Sequence, residues 1–164
     1  MALTVGTDAY DTLVNVRAYW AANDTTASAA WIALADADAE ILIRKGTNWV
    51  DRNLSFIGDK ATASQRLQWP RLNAVVDGFT LEGTVIPWQI EDATAQIAEL
   101  YRLGTYDLEG IVTDDAAAIS MQKVDVITVQ YDTSRRLQGA DIPSHVYELL
   151  RQLIRGSSGG LKRA

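Results

Sequence analysis

Residues 87–104 read Pro-Trp-Gln-Ile-Glu-Asp-Ala-Thr-Ala-Gln-Ile-Ala-Glu-Leu-Tyr-Arg-Leu-Gly. Ile90, Ala93, Ile97 and Leu100 with Tyr101 recur every three or four positions, so they share one side of a helix. Pro87 fits the first helical position, where its missing N–H costs nothing. Glu91 and Asp92 stand near the positive end of the helix dipole and Arg102 near the negative end. Gly104 is suited to a left-handed C-terminal cap. This stretch makes the chain a mainly α protein and supplies the helix on which the others must pack.

Working outward toward the N-terminus, Leu13, Val16 and Trp20 mark a first helix, with Thr12 as N-cap and Asn23-Asp24 as its stop. A second helical region begins near Thr26 and includes Trp31 and Leu34. Asp36 reads as a fresh N-cap for a third, whose stripe is Ala39, Ile43, Gly46 and Val50, broadened by Leu42 and Trp49. Gly46 costs a helix about 1 kcal/mol against alanine, so it marks close packing or a break. Residues 53–86 are irregular. Within them, Ala61 to Leu67 is expected to form a short helix capped by Thr62, with Gln65 completing a capping box. Gln68-Trp69-Pro70-Arg71 cannot be helical, because the residue before proline is pushed out of the α region.

Toward the C-terminus, Thr105 to Ala118 reads as a polar connection. Val124-Asp125-Val126 and Ile127-Thr128-Val129-Gln130-Tyr131 alternate with a phase shift between them, which predicts a strand or short hairpin near residues 120–132. A last helix is expected near Pro143, with Val146, Leu149, Leu150, Leu153 and Ile154 as its apolar face and Arg155 as its end. The expectation is a bundle of four to five helices in one domain, residues 1–155. A flexible basic arm, residues 156–164, follows it, with Gly156-Ser157-Ser158-Gly159-Gly160 as spacer and Leu161, Lys162 and Arg163 at its end.

With 164 residues, 48% hydrophobic and 22% charged, the composition is that of one ordinary globular domain. There is no cysteine, which excludes disulfides, thiolate metal sites and cysteine nucleophiles. No apolar run approaches the roughly 20 residues of a membrane span, and residues 1–10 lack the basic and apolar regions of a secretion signal. The net charge of −6 is unevenly placed: residues 1–60 carry −3, residues 61–120 carry −6 and residues 121–164 carry +3. An acidic body argues against wrapping nucleic acid around the whole surface, whereas a basic end suits an acidic acceptor.

A search for reaction chemistry returns little. His145 is the single histidine, and Ser144 beside it in sequence does not make a triad. Asp36-x-Asp38-x-Glu40 starts like a calcium loop but has Ile41 where glycine is needed and Thr47 where glutamate is needed. Gly58-Asp59-Lys60-Ala61-Thr62 lacks the spacing of a phosphate-binding loop. Asp114-Asp115 reads as a solvated pair, and Gly156 to Gly160 follows a helix instead of opening one. No enzyme, cofactor or metal reading emerges. Of the five tryptophans, Trp20, Trp31 and Trp49 sit in apolar helical runs and read as packing residues. Only Trp69, between Arg66 and Arg71, has the basic flanks expected of a ring that stacks on single-stranded bases.

The order of these signals carries a resemblance. Asp8-Ala9-Tyr10-Asp11-Thr12 leads into a helix ending Ala18-Tyr19-Trp20. Trp31, Ala39 to Arg44, and Asn48-Trp49-Val50-Asp51 follow. Then come Leu67-Gln68-Trp69-Pro70-Arg71, Ile86-Pro87, Ala93-Thr94-Ala95, Val126 to Tyr131, and Ile142-Pro143. Over residues 3–155 the chain resembles the small head–tail connector, or head-completion, proteins of tailed bacteriophages, in particular the group labelled DnaT-like single-stranded-DNA-binding proteins. Gln68-Trp69-Pro70-Arg71 is the most specific part, whereas Gly46 and Trp49 stand where that group leads one to expect alanine and tyrosine. The resemblance implies a virion protein, made in the host cytoplasm, that forms a ring of about twelve copies beneath the portal. The ring would extend the channel for passing double-stranded DNA without reading its sequence, and would bind a downstream neck or tail-completion protein. In this reading Gln68, Trp69, Pro70 and Arg71 are structural, and Arg155, Leu161, Lys162 and Arg163 form an arm that contacts the portal. The alternative is a single-stranded-DNA-binding module.

Overall fold

The computed structural model describes residues 2–104, 121–124, 127–130 and 142–155. Among them are five helices and three short antiparallel strand pairs. The chain is mainly α, as the helical periodicity indicates.

Helix α1 (Leu13–Asn23) starts at Thr12, whose hydroxyl accepts the N–H of Asn15. It ends at Asp24, whose carboxylate accepts the N–H groups of Thr26 and Ala27 and so opens α2 (Thr25–Ala33). One aspartate thus ends one helix and caps the next, which fixes a tight α1–α2 corner. Helix α3 (Asp36–Asn53) departs from the expected capping. Ala35 holds the N-cap position without a side-chain bond, and Asp36 is the first helical residue. The Asp36 carboxylate instead pairs with Arg17 at 2.9 Å, and that guanidinium also bonds the carbonyls of Trp31 and Leu34. Arg17 therefore ties the middle of α1 to the end of α2 and the start of α3.

Helix α4 (Trp88–Leu103) has Pro87 one place earlier than expected, at the N-cap, and ends on Gly104 with φ +62. Helices α3 and α4 form the central pair. They approach so closely at Gly46 that a Cβ there would lie 2.7 Å from the carbonyl oxygen of Thr94 and 3.1 Å from the amide nitrogen of Ala98. Gly46 is a close-approach residue inside an unbroken helix. On one side of the pair Tyr10, Trp49, Trp69, Ile90, Ile97 and Leu150 build the larger core. On the other, Val16, Trp31, Ile43 and Ala98 are among those that build a smaller one under α1 and α2.

Two expectations fail locally. Residues 61–67 form no helix. Half of the capping box is present, since the Thr62 N–H donates to the Gln65 side chain, but the Gln65 amide then donates to the carbonyls of Leu67 and Pro70. That side chain satisfies backbone groups of a non-helical turn, which competes with helix formation. The last helix, α5 (Ser144–Leu150), stops five residues before Arg155. Beyond it the backbone pairs with residues 55–57: the Ile57 N–H donates to Leu153 and the Arg155 N–H to Ser55.

The irregular stretch contains strands β1 (Asp59–Lys60) with β2 (Arg71–Leu72), and β3 (Val75–Val76) with β4 (Phe79–Thr80). Strands β5 (Met121–Val124) and β6 (Ile127–Gln130) form a hairpin in which Val124 faces Ile127. The polar connection 105–118 and the arm 156–164 lie outside the described residues.

Candidate functional site

The segment with the strongest resemblance is woven into the body. Trp69 is fully buried and meets Phe56 edge-on, with ring centres 5.8 Å apart. The Trp69–Pro70 peptide bond is cis. The Gln68 N–H donates to Asp51 Oδ1 (3.0 Å) and to the Tyr10 hydroxyl oxygen (3.2 Å), which also accepts the Trp69 N–H (3.3 Å). The Tyr10 hydroxyl itself donates to Asp51. Burial first, and then the Asp51 charge, push the Tyr10 hydroxyl well above its ordinary pKa, so it remains a donor.

Arg71 is only 7% exposed. Its guanidinium donates to the carbonyls of Ile57 (2.7 Å), Gly58 (2.8 Å) and Gln68 (3.2 Å) and to the Gln68 side-chain oxygen (3.0 Å). Burial, and then the nearby Arg155 charge, lower its pKa. Arg155 is exposed and donates to the same Gly58 carbonyl at 3.2 Å. Gly58 has φ +72, and a Cβ there would lie 2.4 Å from the Leu72 carbonyl, so no side chain fits. Gln68, Trp69, Pro70 and Arg71 thus come together as a brace joining residues 10, 51, 56–58 and 68–71. Leu161, Lys162 and Arg163 lie outside the described residues, so only Arg155 of the proposed arm is placed.

This geometry leaves Trp69 no open face for a nucleic-acid base, and Arg71 holds backbone carbonyls. The other tryptophans divide. Trp31 is buried and donates from Nε1 to Glu99 (2.8 Å), whose carboxylate is also held by Arg102 (2.6 and 2.7 Å). Trp49 is buried, Trp20 is half-buried, and Trp88 is 60% exposed. The Trp31–Glu99 link spans 68 residues, and no local sequence signal announces it.

The remaining candidates stay apart from one another. His145 and Ser144 are exposed at the start of α5. Asp36 pairs with Arg17, and Glu40 lies 3.8 Å from Arg44. Among the described residues no group of three His, Asp or Glu side chains is arranged to hold a metal, and no helix is long and apolar enough to cross a membrane. Asp114-Asp115 lies outside them. One cluster of like charge stands out: Glu91 and Asp92 at the start of α4 and Asp11 before α1 all have raised pKa values, from burial first and then, for Glu91, from the charges of Asp11 and Asp92 and, for Asp92, from that of Asp11.

Sequence reading missed the β3–β4 hairpin. Its signal was present: Asp77-Gly78 between Val75-Val76 and Phe79-Thr80 is a two-residue turn, and both turn residues have positive φ (52° and 85°).

No curated protein and no solved structure matches the chain. One family profile does, over residues 2–164, and its description is "Putative DnaT-like ssDNA binding protein". A match of that extent places the whole chain, brace and helices together, in the DnaT-like family.

Proposed function

We propose that the chain is a non-enzymatic structural subunit of a tailed-phage neck, one of a ring of about twelve copies beneath the portal. The observation that supports this most is the brace. The segment on which the resemblance to head-completion proteins is most specific is buried and bonded into the body, so its residues act by shaping a packing unit. The net charge of −6 agrees with a channel component, because like charge keeps a phosphate backbone from sticking as it passes. The arm at Arg155, Leu161, Lys162 and Arg163 would supply a basic contact to the portal.

A second reading, single-stranded-DNA binding, is favoured by the family's own description. Its difficulty is chemical. Two of the exposed aromatic residues, Phe79 and Trp88, lie in a stretch, residues 72–88, that contains Asp77 and Glu82 and no Lys or Arg, and a third, Tyr147, stands in α5 four residues before Arg151, which pairs with Glu148. Stacking platforms for single strands combine aromatic rings with cations. Titration with a fluorescent oligothymidylate at about 150 mM salt separates the two readings. The neck reading expects no sub-micromolar binding. Sub-micromolar binding with tryptophan quenching replaces it with the second.

A further inference from the structure

Two exposed surfaces on this chain have opposite chemistry. The first is the β3–β4 hairpin with the start of α4. Asp77 and Gly78 turn the hairpin with positive φ, and Asp77 Oδ1 accepts the Gln152 side-chain N–H at 2.9 Å, which anchors its tip. Val76 and Phe79 face each other across the hairpin. Val76 packs against the larger core, yet Phe79 is 76% exposed, so the hairpin overhangs the core edge. Val75 of β3 and Trp88, the first residue of α4, are exposed as well. Scattered exposed apolar residues are ordinary, but an anchored finger carrying several of them marks an interaction surface. Its charges are negative: Asp77 in the finger, Glu82 two residues after it, and Glu91 one helical turn after Trp88.

The second surface is the outer face of α3. Ile41, Lys45, Asn48 and Arg52 are all exposed, and their spacing of four, three and four puts them on one side of the helix. Lys45 Nζ stands 5.6 Å from the centre of the Tyr101 ring. Neither Lys45 nor Arg52 forms an ion pair among the described residues, and neither do Asp77, Glu82 or Glu91.

We propose that the β3–β4 finger and Trp88 of one copy dock on the Ile41–Lys45–Asn48–Arg52 face of a second copy. The match is both apolar and electrostatic: Phe79 and Trp88 meet Ile41, and Asp77 and Glu82 meet Lys45 and Arg52. The two rings offer roughly 300 Å² of surface, over a third of the about 800 Å² per partner in a standard interface. The absence of cations between residues 72 and 88 disfavours nucleic acid as the occupant. Because the two faces differ, the contact is head-to-tail and repeats from copy to copy, closing a ring where the rotation allows. Ring closure rests on the neck reading, whereas the contact itself does not.

Sedimentation velocity on the full chain, from about 1 μM to about 1 mM, tests this. Wild type is expected to associate, more weakly as salt rises. Phe79→Ser, at an exposed site that leaves the melting temperature unchanged, should raise the midpoint concentration at least about tenfold. Lys45→Glu should do the same, and adding Glu82→Lys to it should restore association. A wild type that stays monomeric over the whole range overturns the inference, as does a Phe79→Ser variant that associates normally. Failure of the double reversal to restore association overturns the proposed pairing of faces. None of these outcomes bears on whether the chain is required for tail attachment, which the particle measurement below decides.

Discussion

Tyr10 and Asp51, 41 residues apart, are joined by a hydrogen bond, and the backbone N–H of Gln68 donates to both. This junction ties the N-terminal segment, the end of α3 and the Gln68–Arg71 brace. Replacing Tyr10 with phenylalanine removes one donor to Asp51 and leaves the buried Trp69 N–H short of an acceptor, while the Gln68 N–H keeps Asp51. The expected loss is about 1–3 kcal/mol in urea denaturation at pH 7. Equal midpoints for variant and wild type would show that the junction contributes nothing.

The same residue predicts an alkaline signature. Burial raises the folded-state pKa of Tyr10, so the unfolded chain releases this proton first, near pH 10. Stability from this group is complete below pH 10 and is lost as pH rises above it. The gap between wild type and Tyr10→Phe should narrow from pH 10 upward. A constant gap would mean that the hydroxyl titrates as in the unfolded chain.

Trp69→Ala should cost about 3–5 kcal/mol, because it empties a fully buried site beside Phe56. A thermal melt measures it. An unchanged melting temperature with lost partner binding would move Trp69 from brace to contact residue.

Gly46→Ala sets two effects against each other. Alanine is the better helix former by about 1 kcal/mol. The new Cβ, however, would sit 2.7 Å from the Thr94 carbonyl oxygen, and relief requires α3 and α4 to separate. Such overpacking typically costs 1–3 kcal/mol, roughly, before any compensation. The expected net result is destabilisation, and a stabilised variant would show that the helix pair yields easily.

Mild acid should help the start of α4. Asp11, Glu91 and Asp92 have raised folded-state pKa values, so their ionisation at neutral pH opposes folding. The stability they withhold returns as pH falls through those values toward the ordinary carboxylate range. Asp92→Asn should stabilise the chain by roughly 0.5 kcal/mol at pH 7, the scale of a part-exposed charge interaction. It should also reduce the acid-induced gain. An Asp92→Asn variant less stable at pH 7 would contradict this.

Removing residues 156–164 should leave the melting temperature unchanged, since the Arg155 bonds to Ser55 and Gly58 remain. The neck reading expects the truncated chain to lose attachment to portal-containing heads. Normal attachment would assign the portal contact to the helical body or the β5–β6 hairpin.

Periodicity made α1 to α4 legible, because Leu13–Val16–Trp20 and Ile90–Ala93–Ile97 announce their buried sides locally. The brace was legible only as a motif. Its physics lies in partners 13 to 59 residues away, such as Gly58, Asp51 and Tyr10, which no local pattern specifies. The missing helix at 61–67 and the early end of α5 have one cause: backbone groups found partners outside a helix, through Gln65 in one case and residues 55–57 in the other. The hairpin at 75–80 was missed despite its Asp77-Gly78 turn, because two-residue strands are too short to show alternation.

The central claim is that the chain joins head to tail. Electron microscopy of particles made when its gene carries an early stop codon tests this most directly. The account predicts DNA-filled or leaking heads beside free tails, with tailed particles restored when the full chain is supplied. Normal tailed particles in the absence of the chain would contradict it.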